Sequence, residues 1–239
     1  MFDNKNKSIN VKLEGSEILE ILQNIKNKKE TSISYIQRTF SFGYIKANRA
    51  YQQLIERNYI NSTGKINKKA IYEALGEEYI PGLKLIFLDV DGVLNCRNTK
   101  DTIGHYIGIE DKKVSLLKEL VDKANAKIVL VSSWKQWWFK DFKDRQDDMA
   151  NYLDMKLATQ GLSIMDKTND YNSYNRGDGI LEYLWKLKRR NIEVDNYVIL
   201  DDEMFDYKQT RLTKNLVQTS FENNGLEAKH IERAVNMLC

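Results

Sequence analysis

The sequence predicts an α/β chain in which a Rossmann-like parallel sheet follows a small winged helix-turn-helix domain. Three observations carry that prediction. From about residue 83 onward, short apolar runs alternate with amphipathic stretches, the pattern of strand–helix–strand units in a parallel sheet. Before residue 80, apolar residues recur at helical spacing, and a hairpin-like turn closes the region. Between the two stands the only proline, Pro81, followed by Gly82 and preceded by the acidic Gly76-Glu77-Glu78. The boundary falls there, giving domains 1–80 and 81–239.

In the first domain, Ile18, Leu19, Ile21, Leu22 and Ile25 form an apolar stripe on a helix over 16–27. Thr31 or Ser32 caps a second helix that turns Ile33 and Ile36 inward. Ser41-Phe42-Gly43 makes a turn. A third helix runs from about Tyr44 to Arg57, with Ala47, Ala50, Tyr51, Leu54 and Ile55 on its buried side. Tyr59-Ile60 and Lys65-Ile66 then flank the turn Asn61-Ser62-Thr63-Gly64. In this layout the third helix is the natural reader of a DNA groove.

In the second domain, a strand at 84–88 precedes a helix over about 111–125, with Val114, Leu117, Leu120 and Val121 inward. A second strand is Ile128–Val131, and a short one lies near 163–165. A helix follows at about 178–190, then a strand at Tyr197–Leu200 and a last one near Leu216–Thr219.

The chain has 239 residues, 42% of them apolar and 30% charged, which fits a soluble globular protein of two domains. No apolar run approaches the ~20 residues that span a bilayer. The N-terminus is polar, without a signal-peptide pattern. The two cysteines, Cys96 and Cys239, suggest no disulfide framework and no zinc site. The expectation is a cytoplasmic protein with free thiols and no membrane partner. Net charge is +3, unevenly placed: residues 1–80 hold 13 Lys/Arg against 9 Asp/Glu. That excess permits nucleic-acid binding in the first domain without requiring it.

The chemistry concentrates at Leu85-Ile-Phe-Leu-Asp89-Val-Asp91-Gly92-Val-Leu-Asn95. An apolar strand runs straight into two carboxylates, and Gly92 permits a tight turn. The carboxyl ends of strands are where open α/β sheets place their ligands. Two carboxylates crowded there repel one another and lose hydration, and a divalent cation is the usual remedy. A second strand ends in Ser132-Ser133. A third ends in Asp201-Asp202-Glu203, with Asp206 beyond it.

The Asp-x-Asp-Gly-Val string resembles the first motif of the haloacid dehalogenase (HAD) superfamily. With Val-Ser-Ser-Trp-Lys, Arg-Gly-Asp-Gly-Ile and Val-Ile-Leu-Asp-Asp, nearly all of 83–239 resembles the HAD domain of Swiss Army Knife RNA-repair proteins. The resemblance implies a Mg²⁺-dependent phosphatase fold with little cap. It makes Asp89 the phosphoryl-accepting nucleophile and Asp91 the general acid/base. Ser132, the amide of Ser133 and Arg176 become phosphate-binding groups, with Lys167 and Lys186 as alternatives to Arg176. The implied metal set is Asp89, the main-chain carbonyl of Val90, Asp91 and an acid at Asp201 or Asp202, with Asp206 echoing a further form of the motif. Only about 36 residues separate Asp91 from the second strand, too few for a large cap domain. Trp134, Trp137, Trp138 and Phe139 either stack on a base or pack the sheet.

Ser32–Arg38 with Gly43–Arg49 closely resembles the gamma domain of the bacterial DNA translocase FtsK, over roughly residues 15–72. That resemblance implies a DNA-binding winged helix with Gln37, Arg38, Lys46 and Arg49 as contacts. The family's usual Asn-Arg pair is here Ile45-Lys46. Lys acts as a point charge where Arg grips a guanine edge with two hydrogen bonds, so the family's sequence specificity is not expected to carry over. The expected function is a phosphatase acting on phosphorylated nucleic-acid ends or nucleotides. The alternative is a DNA- or protein-binding regulator whose HAD fold senses a phosphorylated ligand or is inert.

Overall fold

The computed structural model describes residues 15–169 and 175–239, apart from the side chain of Asp144. The chain divides into two compact units, Met1–Pro81 and Gly82–Cys239, each with its own core.

The first unit is built from helices α1 (Gly15–Ile25), α2 (Ile33–Phe40), α3 (Tyr44–Glu56) and α4 (Lys68–Leu75). Ile18, Ile21, Leu22 and Ile25, at spacings of three and four, place one face of α1 in the core. Ile36, Ala47, Ala50, Leu54 and Ile71 meet that face from the other helices. Ser32 caps α2, its Oγ accepting the Tyr35 amide at 3.2 Å. The segment around 60–66 folds back through Asn61, whose side chain accepts the amides of Thr63 and Lys65. Gly64 at φ +86° is needed here, since a Cβ would lie 2.3 Å from the Thr31 carbonyl oxygen. The expected hairpin is present only as one isolated antiparallel bridge, Ile60↔Ile66, and a second bridge, Glu30↔Lys65, ties the segment to the chain before α2. Helix α4 lies beyond the elements expected from sequence. Asn67 caps it and Gly76 ends it in the left-handed region.

The second unit is a five-stranded parallel sheet with helices on both faces. Strands β1 (Leu83–Leu88), β4 (Lys127–Leu130), β5 (Ile164–Lys167), β6 (Val194–Asp201) and β7 (Leu216–Gln218) stand in the order β5-β4-β1-β6-β7. Alternate residues face opposite ways. Ile86, Leu88, Ile128, Leu130, Val198 and Leu200 pack against α5 (Asp111–Ala124), α6 (Asp148–Ala158) and α8 (Ala228–Leu238). Leu85, Phe87, Val129 and Ile199 pack against α7 (Arg176–Arg189). Phe87 meets Tyr183 and Tyr197 edge-on, at 5.9 and 5.8 Å between ring centres.

Chain order reverses at β1: the first two crossovers run outward to β4 and β5, and the next returns to β6 on the other side. That reversal opens a crevice at the carboxyl ends of β1 and β6, where open sheets bind ligands. Register sharpens it. Leu88 stands level with Leu130 and Leu200, so Asp89, Val131-Ser132 and Asp201 all emerge at one edge. Three further elements escaped the sequence patterns: α6, the C-terminal α8, and a small hairpin of β2 (Thr102–Ile103) and β3 (Tyr106–Ile107) inserted before α5. Among the described residues, no helix is long and apolar enough to cross a membrane.

Candidate active site

Asp89 is 2% exposed. Its Oδ1 accepts the Val90 amide at 2.8 Å, and its Oδ2 lies 2.7 Å from Arg176 Nη1. The same Nη1 reaches Asp201 Oδ2 at 2.7 Å, so one guanidinium joins the ends of β1 and β6. Asp201 is fully buried. Tyr207 Oη donates to its Oδ2 at 2.7 Å and the Glu203 amide to its Oδ1 at 3.1 Å. Burial pushes the Asp89 carboxyl up, against the opposing pull of Arg176 and of Ser132, which is itself wholly buried. Burial and then the charge of Asp89 push Asp201 up to about 7 and Asp202 up to about 6. The same carboxylates hold Arg176 firmly protonated. Asp89 and Asp201 thus share one guanidinium with Asp202 close by, and the site is short of positive charge.

The donor set fits a hard divalent cation. Oxygen atoms of Asp89, Asp201 and Asp202 lie within 4.8 Å of one another, and oxygen-only donors suit Mg²⁺ or a similar ion. Gly92 makes room for this cluster: at φ +71° it lacks the Cβ that would lie 2.3 Å from the Asp202 carboxyl. Thr219 secures the Gly92 turn by donating its hydroxyl to the Gly92 carbonyl at 2.6 Å, while its amide bonds the Asp201 carbonyl.

Two expected ligands have other occupations. The Val90 carbonyl accepts the amides of Val93 and Leu94, at 3.2 and 2.8 Å, so its lone pairs close the turn after β1 instead of facing a metal. Asp206 accepts the amides of Gly177 and Asp178, at 2.7 and 3.0 Å, and so caps the helix that begins with Arg176. Gly177 allows that close approach, since a Cβ there would meet the Thr210 hydroxyl at 2.4 Å. Asp206 therefore holds the first turn of α7, which carries Arg176.

Asp91 is held at both oxygens. Asn95 Nδ2 donates to Oδ1 and Trp134 Nε1 to Oδ2, each at 2.9 Å. Asn95 Oδ1 in turn accepts the Gly92 amide at 2.9 Å. Sequence reasoning quoted both Asn95 and Trp134 inside motifs but gave neither this task. Of the four aromatics after the serines, Trp134 and Trp138 are buried and Trp137 is exposed. Ser132 Oγ accepts the Trp134 amide at 3.3 Å, opening the short turn Ser133–Lys135, and Ser133 is exposed.

Arg176 is the basic residue brought to Asp89. Lys167 Nζ donates to the Lys135 carbonyl at 2.8 Å, and Lys186 pairs with Glu182 at 2.8 Å along α7. Phe205 stacks over the Arg176 guanidinium at 4.1 Å. Its φ of +36° is strained for a bulky residue, and places the ring at the site. Around these groups opens a cleft of about 760 Å³, whose walls include Tyr106 of the hairpin, Met149 of α6 and Phe221 after β7.

The four nucleic-acid candidates lie in the first unit. Lys46 Nζ is paired with Glu17 at 2.5 Å and sits 4.2 Å from the Phe42 ring centre. Arg38 is exposed and donates Nε to the Ser34 carbonyl, while Gln37 and Arg49 are half-buried. The start of α3 presents Tyr44 and Ile45 to solvent, Ile45 at 73%.

No curated protein and no solved structure gives a significant match to the chain. A family model does match, over residues 85–231: the HAD domain in Swiss Army Knife RNA repair proteins. That span holds more than half of the chain and every group converging on Asp89, and the protein belongs to this family.

Proposed function

We propose that the second unit is a Mg²⁺-dependent phosphatase that works through an aspartyl-phosphate. Family membership supports a HAD-type phosphatase or phosphoesterase. The observation that carries the finer reading is the placement of Asp89, buried at a strand end with Arg176 against one of its oxygens and Asp91 two residues on.

An oxygen of Asp89 attacks phosphorus, and the bond to the ester oxygen breaks. Asp91 protonates that leaving oxygen. It then takes a proton from water, which attacks the phosphoryl group and restores Asp89. Asn95 and Trp134 keep the Asp91 carboxyl aimed during both transfers. Arg176 and the Ser132 hydroxyl offset charge on the equatorial oxygens. Asp89, Asp201 and Asp202 hold the cation, which supplies electrostatic neutralisation of the phosphate.

The substrate class proposed is a phosphorylated nucleic-acid end or nucleotide. The first unit supports it when read as a DNA-binding winged helix, on the strength of helices α1 to α3 and the paired segment around 60–66. A second reading of that unit, as a protein-docking module, is favoured by the exposed Tyr44 and Ile45 and by the ion pair that occupies Lys46. Isolated residues 1–81 decide the matter: binding of duplex DNA that weakens as salt rises supports the first reading. Capture of a protein with no DNA binding at low salt supports the second.

For the enzyme itself the test is Asp89→Asn. Mg²⁺-dependent phosphate release falls at least about a thousandfold while the circular dichroism spectrum is retained. Undiminished turnover in that variant removes Asp89 as the nucleophile.

A further inference from the structure

The walls of the cleft carry chemistry that the reacting groups do not use. Among the described residues, five carboxylates line it, those of Asp89, Asp91, Asp202, Glu203 and Glu222, against one guanidinium, Arg176, and one imidazole, His105. The guanidinium is already shared between Asp89 and Asp201. Arg97, the partner of Glu222, is 2.7 Å from that carboxylate. Even with a divalent cation in place, the carboxylates that line the cleft outnumber its positive charges. Each phosphate beyond the first adds negative charge to walls that include Glu203 and Glu222.

Aromatic rings stand on the remaining wall, beside Ile107, Met149 and Ser220. Tyr106 is 63% exposed yet lines the cleft, and Phe221 lines it too. Both rings stand on fixed backbone. The hairpin that carries Tyr106 is closed at its base by the Gly108 amide on the Asp101 carbonyl at 2.7 Å. The Asp101 carboxylate is clamped to α6 by Tyr152 and Lys156, at 2.7 and 2.9 Å. The Phe221 carbonyl accepts the Arg97 amide at 2.9 Å. An aromatic side chain on a held backbone has only two torsions to fix when a planar group stacks on it, so the entropy lost is small.

We propose that this cleft takes a terminal nucleotide bearing a single phosphate, with the base against Tyr106 and Phe221 and the phosphate at Asp89. Nucleoside di- and triphosphates are rejected. The inference rests on the phosphatase reading for its chemistry and on the cleft walls for its substrate. The nucleotide can be free or the 5′ end of a strand, since both present the same phosphate and base.

The experiment compares full-length protein with Mg²⁺ on adenosine 5′-monophosphate, adenosine 5′-diphosphate, ribose 5-phosphate and a 5′-phosphorylated trinucleotide. The base raises kcat/KM at least about tenfold over ribose 5-phosphate, and the diphosphate falls below the monophosphate. Tyr106→Ala cuts the ratio of the monophosphate to ribose 5-phosphate at least about fivefold, chiefly through KM, and Tyr106→Phe restores it. A trinucleotide better than the free monophosphate assigns the site to strand ends, and the reverse assigns it to free nucleotides. Equal rates with and without the base, or a preference for the diphosphate, overturn the inference and leave the phosphatase reading standing. Equilibrium binding to the Asp89→Asn chain separates the two in the other direction. Selective binding of the monophosphate without turnover by the unsubstituted protein upholds the ligand class and removes the phosphatase. Absence of such selectivity in binding and turnover alike removes the inference.

Discussion

The two units put their charges to opposite use. Residues 1–80 carry an excess of Lys/Arg, 13 against 9 acids, and among the described residues of that unit no charged side chain is buried. Lys46, the cation best placed on α3, is already paired with Glu17. The second unit is nearly neutral, yet it buries Asp89, Asp201 and Arg176 together at strand ends. A charge on a helix surface costs little to keep and says little about function. A charge taken out of water costs several kcal/mol unless it is matched, so its persistence needs a reason. Burial of charge, and not its amount, separates the two units.

The largest way to break this comparison is Arg176→Met. It leaves Asp89 and Asp201 buried without their shared partner, and is expected to cost about 3–5 kcal/mol of stability and most of the turnover. Urea denaturation checks it. A loss no larger than that of a surface substitution would mean that the carboxylates escape their desolvation by other means.

A pH series on chelator-treated protein comes next. Asp201 and Asp202 stand at about 7 and about 6, above the ordinary carboxylate value near 3.8 that they regain on unfolding. Between about pH 4 and 7 the native state therefore holds more protons than the unfolded state, and stability falls as pH rises through that window. Saturating Mg²⁺ binds the ionised carboxylates and reverses the trend, raising Tm most at the upper end. A Tm that rises with pH in the chelated protein counts against the under-neutralised cluster.

Trp134→Phe keeps a ring in the core and deletes one donor to Asp91. The expected loss is about tenfold in turnover, greater for an alkyl phosphate than for an aryl phosphate whose leaving group needs no proton. Equal losses on both substrates make Trp134 a packing residue alone.

The smallest effect belongs to the first unit. Lys46→Ala removes a half-exposed ion pair and is expected to cost under about 1 kcal/mol of stability. The phosphatase rate of the full chain stays unchanged. If DNA affinity also stays unchanged, Lys46 serves only Glu17.

Much of this was legible in the chain. The apolar run ending in Asp89-Val-Asp91-Gly92, the serines after the next strand and the acid pair after Val198-Ile-Leu200 are local signals, because strand periodicity and a following turn need only neighbouring residues. Strand register then places their ends together, as the backbone pairing confirms. Less visible were α6, whose inward Ala150, Leu153 and Leu157 follow a charge-rich stretch, and the two-residue strands of the hairpin, too short to show a period.

Only the tertiary structure decided which polar group serves which. Val90 O and Asp206 look like ligands in sequence, but the first closes a turn and the second caps α7. Trp134 looks like core and holds Asp91 from 43 positions away. Hydrogen bonds of that kind depend on where two distant backbones bring a donor and an acceptor to within about 3 Å. Residue type and spacing specify the elements and their ends. The partner of each buried polar atom is settled by packing, since a group removed from water must bond to whatever the fold has placed beside it.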